Sequence, residues 1–209
     1  DLRFLITEGE FPNNRVGTKE IFKESCSTYI DIHDNLIFLK DGKSFLWTSE
    51  RNGYNHVYKF GFDGTTTQLT DGEWDVIEFI GYDSKKNTIH FSSSMFGATQ
   101  KHIHSVDMKG NITTIDKTKG HHGAAFSSNY SYSIHNHSDA NTPPIYTLRN
   151  SKGNVLRNIV ENDDLASKLD SYEYSEKTFF TFENHTEEEL NCWMILPHDF
   201  DEAKEYPVY

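Results

Sequence analysis

Cysteine is scarce in this chain. Among 209 residues there are two, Cys26 and Cys192, far apart and in no C-x-x-C spacing. That pattern supplies neither a disulfide framework nor a thiolate metal site, so free thiols are expected. No run approaches the roughly 18 apolar residues of a membrane-spanning helix. Basic residues are outnumbered, 20 against 32 acidic ones, for a formal charge of −12. With no basic strip interleaved with aromatics, nucleic acid is excluded as a partner, and the acidity serves solubility. A G-x-S-x-G nucleophile elbow is absent: Gly42-Lys43-Ser44-Phe45-Leu46 begins the pattern and lacks the second glycine. No export leader follows Asp1, and an apolar run opens only at Glu205-Tyr206-Pro207-Val208-Tyr209. Both ends read as cuts through a longer polypeptide.

Phenylalanine (15) and tyrosine (11) are plentiful, and such residues suit pleated sheets. They fall into a repeat. Ser44-Phe45-Leu46-Trp47-Thr48-Ser49 is followed by the alternating His56-Val57-Tyr58-Lys59-Phe60-Gly61-Phe62, an Asp63-Gly64 turn and Thr66-Thr67-Gln68-Leu69-Thr70. Asx-Gly between alternating runs is a strong hairpin signal. The same order returns in Thr88–Ser93, His102–Asp107, Lys109-Gly110 and 111–115, and again in 130–134, 144–148, Lys152-Gly153 and 154–160. Gly64, Gly110 and Gly153 stand 46 and 43 residues apart, and a short strand precedes each copy at 36–39, 76–80 and 124–126. Four strands per unit at this period favour β-propeller blades over a β-sandwich, whose turns recur without a higher period. The expected fold is all-β, a partial β-propeller of four-stranded antiparallel blades. Three blades are expected over residues 36–160, with Leu46, Val57, Ile89, Ile103, Ile134 and Ile145 turned away from water.

Residues 1–35 hold one strand, from Leu2 to Thr7, and a polar stretch. They read as the end of a preceding blade. Residues 161–171 carry Leu165, Ala166 and Leu169 at helical spacing and predict a short linker helix. From 172 the pattern changes. Lys177–Phe182 and 190–197 flank a polar turn and form a hairpin outside the repeat.

Three strings carry a family resemblance. The run from Asp41-Gly42 through Phe45 and Ser49-Glu50-Arg51-Asn52-Gly53-Tyr54-Asn55-His56-Val57-Tyr58 resembles a late-blade signature of the dipeptidyl peptidase IV family. Leu69-Thr70-Asp71-Gly72-Glu73-Trp74-Asp75-Val76 is similar to that family's L-T-x-G-x-W-x-V. Trp193-Met194-Ile195-Leu196-Pro197, with Phe200-Asp201 and Tyr206-Pro207, resembles the start of its hydrolase domain. The likeness runs over about 36–209, in family order, and is poor over the first 35 residues. It implies a prolyl oligopeptidase-type serine peptidase in which a propeller covers an α/β-hydrolase domain, and which releases N-terminal Xaa-Pro or Xaa-Ala dipeptides. Residues 172–209 would then begin the hydrolase domain, truncated here. The triad of such enzymes lies beyond this sequence, so no catalytic residue is expected and the chain by itself is expected to be no enzyme.

The family's paired glutamates for the substrate amine are also absent. Glu187-Glu188-Glu189 lacks their aromatic context and reads as a solvated turn. Arg51 and Tyr54, in the loop between two strands, are the candidates for facing the substrate cavity. His102 and His104 share one strand face, but no first shell is complete, so no metal and no cofactor is expected; polar positions at a blade surface are the expected account. Trp74 is expected in the core. The N-x-S/T sequons at Asn111, Asn129, Asn136 and Asn184 are about as many as composition gives by chance. The implied role is gating and positioning of peptide substrates in the full-length protein; the alternative is a stand-alone scaffold for protein interaction. Uncovered blade faces predict self-association of the isolated chain. By family analogy the location is periplasmic, secreted or membrane-anchored.

Overall fold

The computed structural model describes residues 1–8, 17–172 and 174–207. The strands are β1 (Leu2–Glu8), β2 (Gly17–Glu24), β3 (Ile37–Phe38), β4 (Ser44–Ser49), β5 (His56–Gly61), β6 (Thr66–Gln68), β7 (Val76–Asp83), β8 (Thr88–Ser93), β9 (His102–Asp107) and β10 (Ile112–Thr114). They continue with β11 (His121–Phe126), β12 (Tyr132–Ser138), β13 (Ile145–Asn150), β14 (Val155–Val160), the helix α1 (Asp163–Asp170), β15 (Lys177–Glu183) and β16 (Glu189–Ile195). Three antiparallel meanders result, β3-β4-β5-β6, β7-β8-β9-β10 and β11-β12-β13-β14, flanked by the hairpins β1-β2 and β15-β16. The repeat in the sequence therefore marks four-stranded sheets. The C-terminal run at Val208-Tyr209 lies outside the described residues.

The turn before the last strand of each meander combines a left-handed glycine with an Asx side chain. Gly64, Gly110 and Gly153 have φ of +89°, +86° and +83°, where a Cβ is disfavoured. Ahead of each glycine, next to it at Gly64 and three residues before it at Gly110 and Gly153, an Asx side chain accepts backbone N–H bonds: Asp63 from Thr65, Asp107 from Lys109 and Asn111, and Asn150 from Lys152 and Asn154. Side-chain bonds from Thr65 and Asn111, with these backbone bonds behind them, hold the Asp63 and Asp107 carboxyls below the usual carboxylate range.

The chain divides into two units, residues 1–97 with 101–117, and residues 98–100 with 118–209. In the first, three sheets are stacked. Phe45, Trp47, Tyr58 and Phe60 on one face of β4-β5 pack on Phe22, with Leu2, Phe4 and Ile21 of the β1-β2 hairpin against them. Phe22 and Phe60 meet nearly edge-on at 4.5 Å. The opposite face presents Leu46 and Val57 to Val76, Ile89, Phe91 and Val106 of the next meander. Both faces of β4 are thus covered, and every residue from Ser44 to Ser49 is buried. Each large side chain buried here contributes roughly 1.5–3 kcal/mol. Trp74 closes the second cluster, its indole parallel to Phe91 at 6.2 Å. Leu46, Val57, Ile89 and Ile103 are fully buried, as the alternation predicts.

Two expectations fail. His102 and His104 are not at a blade surface. Both are buried, with Nδ1 bound to the Asp116 carbonyl (3.0 Å) and the Thr114 hydroxyl (3.1 Å) respectively. Each is tied by one ring nitrogen to the segment after β9, while His104 Nε2 is buried without a hydrogen-bond partner among the described residues, so burial here leaves polarity uncompensated. Ile134 is 46% exposed and Ile145 half-buried. In the second unit the covered face of β11-β12-β13 carries His122, Ser133, His135 and Thr147, whereas Ile134 shares the open face with Tyr132 and Tyr146. Period-2 alternation separates two faces; it does not say which one is covered.

Elsewhere in the second unit, α1 is one short helix over the expected linker, with Asp163 and Asp164 at its positive end and Lys168 at its negative end. The β12–β13 loop is tied to the start of β15 by one side chain. The Asn141 carboxamide donates to the Lys177 carbonyl (3.0 Å) and accepts from the Lys177 N–H (2.9 Å), as a neighbouring strand would. In the β15–β16 turn the Asn184 side-chain oxygen accepts the backbone N–H of Thr186 and Glu188. Side-chain bonds from Asn184 and Thr186 keep the exposed Glu188 carboxyl low, in keeping with a solvated turn.

Candidate functional site

The loop joining β4 to β5 carries both candidate cavity residues. Its course follows from its ends. Ser49 closes a fully buried strand, and Gly53, at φ +98°, takes the reversal that brings the chain back to His56. His56 is itself locked, with Nδ1 against the Thr70 hydroxyl (3.1 Å), Nε2 against the Gly72 carbonyl (3.0 Å) and its ring perpendicular to Trp74 at 4.9 Å. The L-T-x-G-x-W string therefore acts as an anchor for the base of this loop. Gly72 is required there: its φ is +135°, and a Cβ would run into the Trp74 indole.

Arg51 is held by three neighbours of different kinds. Its backbone N–H and its Nε–H both donate to Ser49 Oγ, at 3.3 and 3.1 Å. Ser49, 2% exposed, donates its own hydroxyl hydrogen bond to Glu24 Oε1 at 2.5 Å. The guanidinium carbon lies 4.9–5.3 Å from the ring centroids of Phe22, Tyr58 and Phe60. The aromatic cluster that binds β1-β2 to β4-β5 is thus also the floor on which the cation rests. Burial pushes the Tyr58 phenol up, against the Arg51 charge, so it stays protonated at neutral pH.

Arg51 opens onto a cleft of about 140 Å³, shared with Glu24, Asp31, His33, Ser49 and Glu50 among others. Tyr54 is 37% exposed in the same loop but does not line this cleft. The structure therefore brings one of the two candidates to a concave site and leaves the other on the rim of the loop. Glu24, Asp31 and His33 were not legible as cleft residues. They lie in the polar stretch after the first strand, where no second strand is expected. Cys26 also lines the cleft; hydrogen bonds from Thr28 lower the pKa of its exposed thiol, and both cysteines are unpaired. Among the described residues no group of three metal-ligating side chains converges.

Comparison with known proteins gives a consistent result. Residues 10–144 match the family model for the dipeptidyl peptidase IV (DPP IV) N-terminal region. Dipeptidyl peptidase 4 of Trichophyton equinum is 33% identical over 187 residues, which cover 84% of this chain and 24% of that protein. Dipeptidyl peptidase 4 of Arthroderma otae is 31% identical, over 94% of this chain and 27% of that protein. Among solved structures, Porphyromonas gingivalis dipeptidyl peptidase 4 superposes with a TM-score of 0.84 at 31% identity, over 91% of this chain and 28% of that one. The chain thus spans about a quarter of the length of the curated relatives it matches.

Proposed function

This chain belongs to the dipeptidyl peptidase IV family through its N-terminal, propeller-type region, and from that premise we propose that it is the non-catalytic part of a serine dipeptidyl peptidase that gates and positions peptide substrates. On this reading residues 36–160 are three blades and 1–35 end the preceding one. Residues 161–171 are a linker, and 172–209 begin the hydrolase domain whose remainder supplies the triad. The whole protein releases Xaa-Pro or Xaa-Ala dipeptides from peptide N-termini, and by family analogy it is exported, periplasmic or membrane-anchored. Among the described residues no helix is long and apolar enough to cross a membrane.

The observation that carries this reading is the alignment with Porphyromonas gingivalis dipeptidyl peptidase 4 across nearly the whole chain. The β4–β5 loop adds support, since it brings the fixed cation of Arg51 and the carboxylate of Glu50 to one cleft with Glu24 and Asp31 of the preceding segment. A two-part assay tests the proposal. The chain alone is expected to leave a fluorogenic Gly-Pro substrate uncleaved, and a polypeptide extended through a hydrolase domain is expected to cleave it. Turnover by the chain alone, blocked by a serine-directed inhibitor, would overturn the non-catalytic assignment. An extended protein with no dipeptidase activity would favour the stand-alone scaffold.

A further inference from the structure

The Arg51 side chain is anchored through one donor and has others unspent. A guanidinium offers five N–H donors in a planar fork. Here Nε–H goes to Ser49, and the plane is held over three rings. The Nη donors have no hydrogen-bond or ion-pair partner among the described residues. Ser49 is a strong acceptor for Nε because its own hydroxyl proton is committed to Glu24. The stacking over Phe22, Tyr58 and Phe60 accounts for where the cation sits; it leaves open what the outer edge of the fork binds. A fork fixed in this way suits a carboxylate bound through both oxygens.

The opposite charge is present in the same cleft. Asp31 and Glu50 line it, both exposed, and neither side chain has a hydrogen-bond or ion-pair partner among the described residues. A second anion alone would be repelled by these carboxylates. A molecule with a carboxylate at one end and an ammonium at the other matches both. At about 140 Å³ the cleft suits a dipeptide better than an extended chain.

We propose that this cleft binds a short zwitterionic peptide, its carboxylate in the Arg51 fork and its ammonium against Asp31 and Glu50. The choice of a peptide rests on the function proposed above; the charge pattern does not. A released dipeptide has this form, whereas an uncleaved substrate carries its carboxylate many residues from its amine, so the site would hold product and not substrate.

Isothermal titration of the whole chain with Gly-Pro, Gly-Pro-amide and N-acetyl-Gly-Pro tests this. Gly-Pro is expected to saturate in the millimolar range or below, and each capped form to bind about tenfold more weakly, the loss of one charge-assisted contact. Arg51→Gln should weaken Gly-Pro about tenfold and leave Gly-Pro-amide unchanged. Glu50→Gln should do the converse, leaving N-acetyl-Gly-Pro unchanged. Ser49→Ala keeps the cation but releases Nε, and decides the matter if Arg51→Gln does not fold; it should erase most of the preference for the free carboxylate. Equal binding of Gly-Pro and its amide, or no saturation by 20 mM (about 2 kcal/mol of binding at most), overturns the proposal. Gly-Pro-Gly-Gly-amide separates the two readings. If it saturates the chain independently of Arg51, peptide positioning stands and the zwitterion site falls.

Discussion

Mild acid should destabilise the first unit before carboxylates begin to protonate, and His104 should be a main cause. Its ring is fully buried, 5.3 Å from Phe91 at 27° and 5.9 Å from Phe96. Burial pushes its pKa from 6.5 down to about 4, and the neighbouring His102 acts in the same direction. The folded chain therefore keeps this imidazole neutral where the unfolded chain protonates it. Its contribution is fully present above pH 6.5. It is lost as the pH falls from there and is gone below pH 4. The full loss is about 3 kcal/mol for this one group, of which about 2 kcal/mol has gone by pH 5. A domain with 5–15 kcal/mol in all registers such a change. His90 is shifted the same way, to about 4, but is only half-buried, so its share is smaller. Urea unfolding at pH 7 and pH 5 of the native chain and His104→Phe isolates the effect. The variant loses the Thr114 hydrogen bond, which costs about 1 kcal/mol at pH 7. It should lose about 2 kcal/mol less than the native chain on going to pH 5. Parallel pH dependences in the two proteins would refute the argument.

Gly72→Ala should lower stability by about 2 kcal/mol or more, because it combines a positive φ with a collision at Trp74; an unchanged melting temperature would contradict this. Asn141→Ala should speed amide exchange at Lys177 by about tenfold, since it removes both bonds to that residue's backbone, and unaltered protection there would show the clamp to be redundant. The chain is expected to self-associate at micromolar concentration through the β15-β16 hairpin. One face of it presents Phe180, Phe182, Leu190 and Met194, each at least 40% exposed, and a lone hairpin is marginal in water. Light scattering after size exclusion checks this, and a monomer that binds no hydrophobic dye would refute it.

Local chemistry wrote much of the fold into the sequence. A glycine at φ near +85° with an Asx side chain ahead of it is a short-range requirement, so Gly64, Gly110 and Gly153 could be read as three equivalent turns. The strands between them then followed from alternation, and Trp74 from its size. Strand β2 was not legible, because Gly17–Glu24 is polar except at Ile21 and Phe22 and is held in place by rings far along the chain. Burial was legible only where both faces of a strand are covered. Nothing local distinguishes the Leu46 face, which meets another sheet, from the Ile134 face, which stays open. The site divides in the same way. Arg51 could be picked out from a motif, but its meaning depends on Glu24, which is 27 residues earlier and touches Ser49, and on rings contributed by β2 and β5. Turn geometry and periodicity depend on neighbours in sequence, and the sequence by itself determined them. Which face is covered, which histidine loses its proton and which cation gains a fork are set by neighbours in space, and only the tertiary structure decided those.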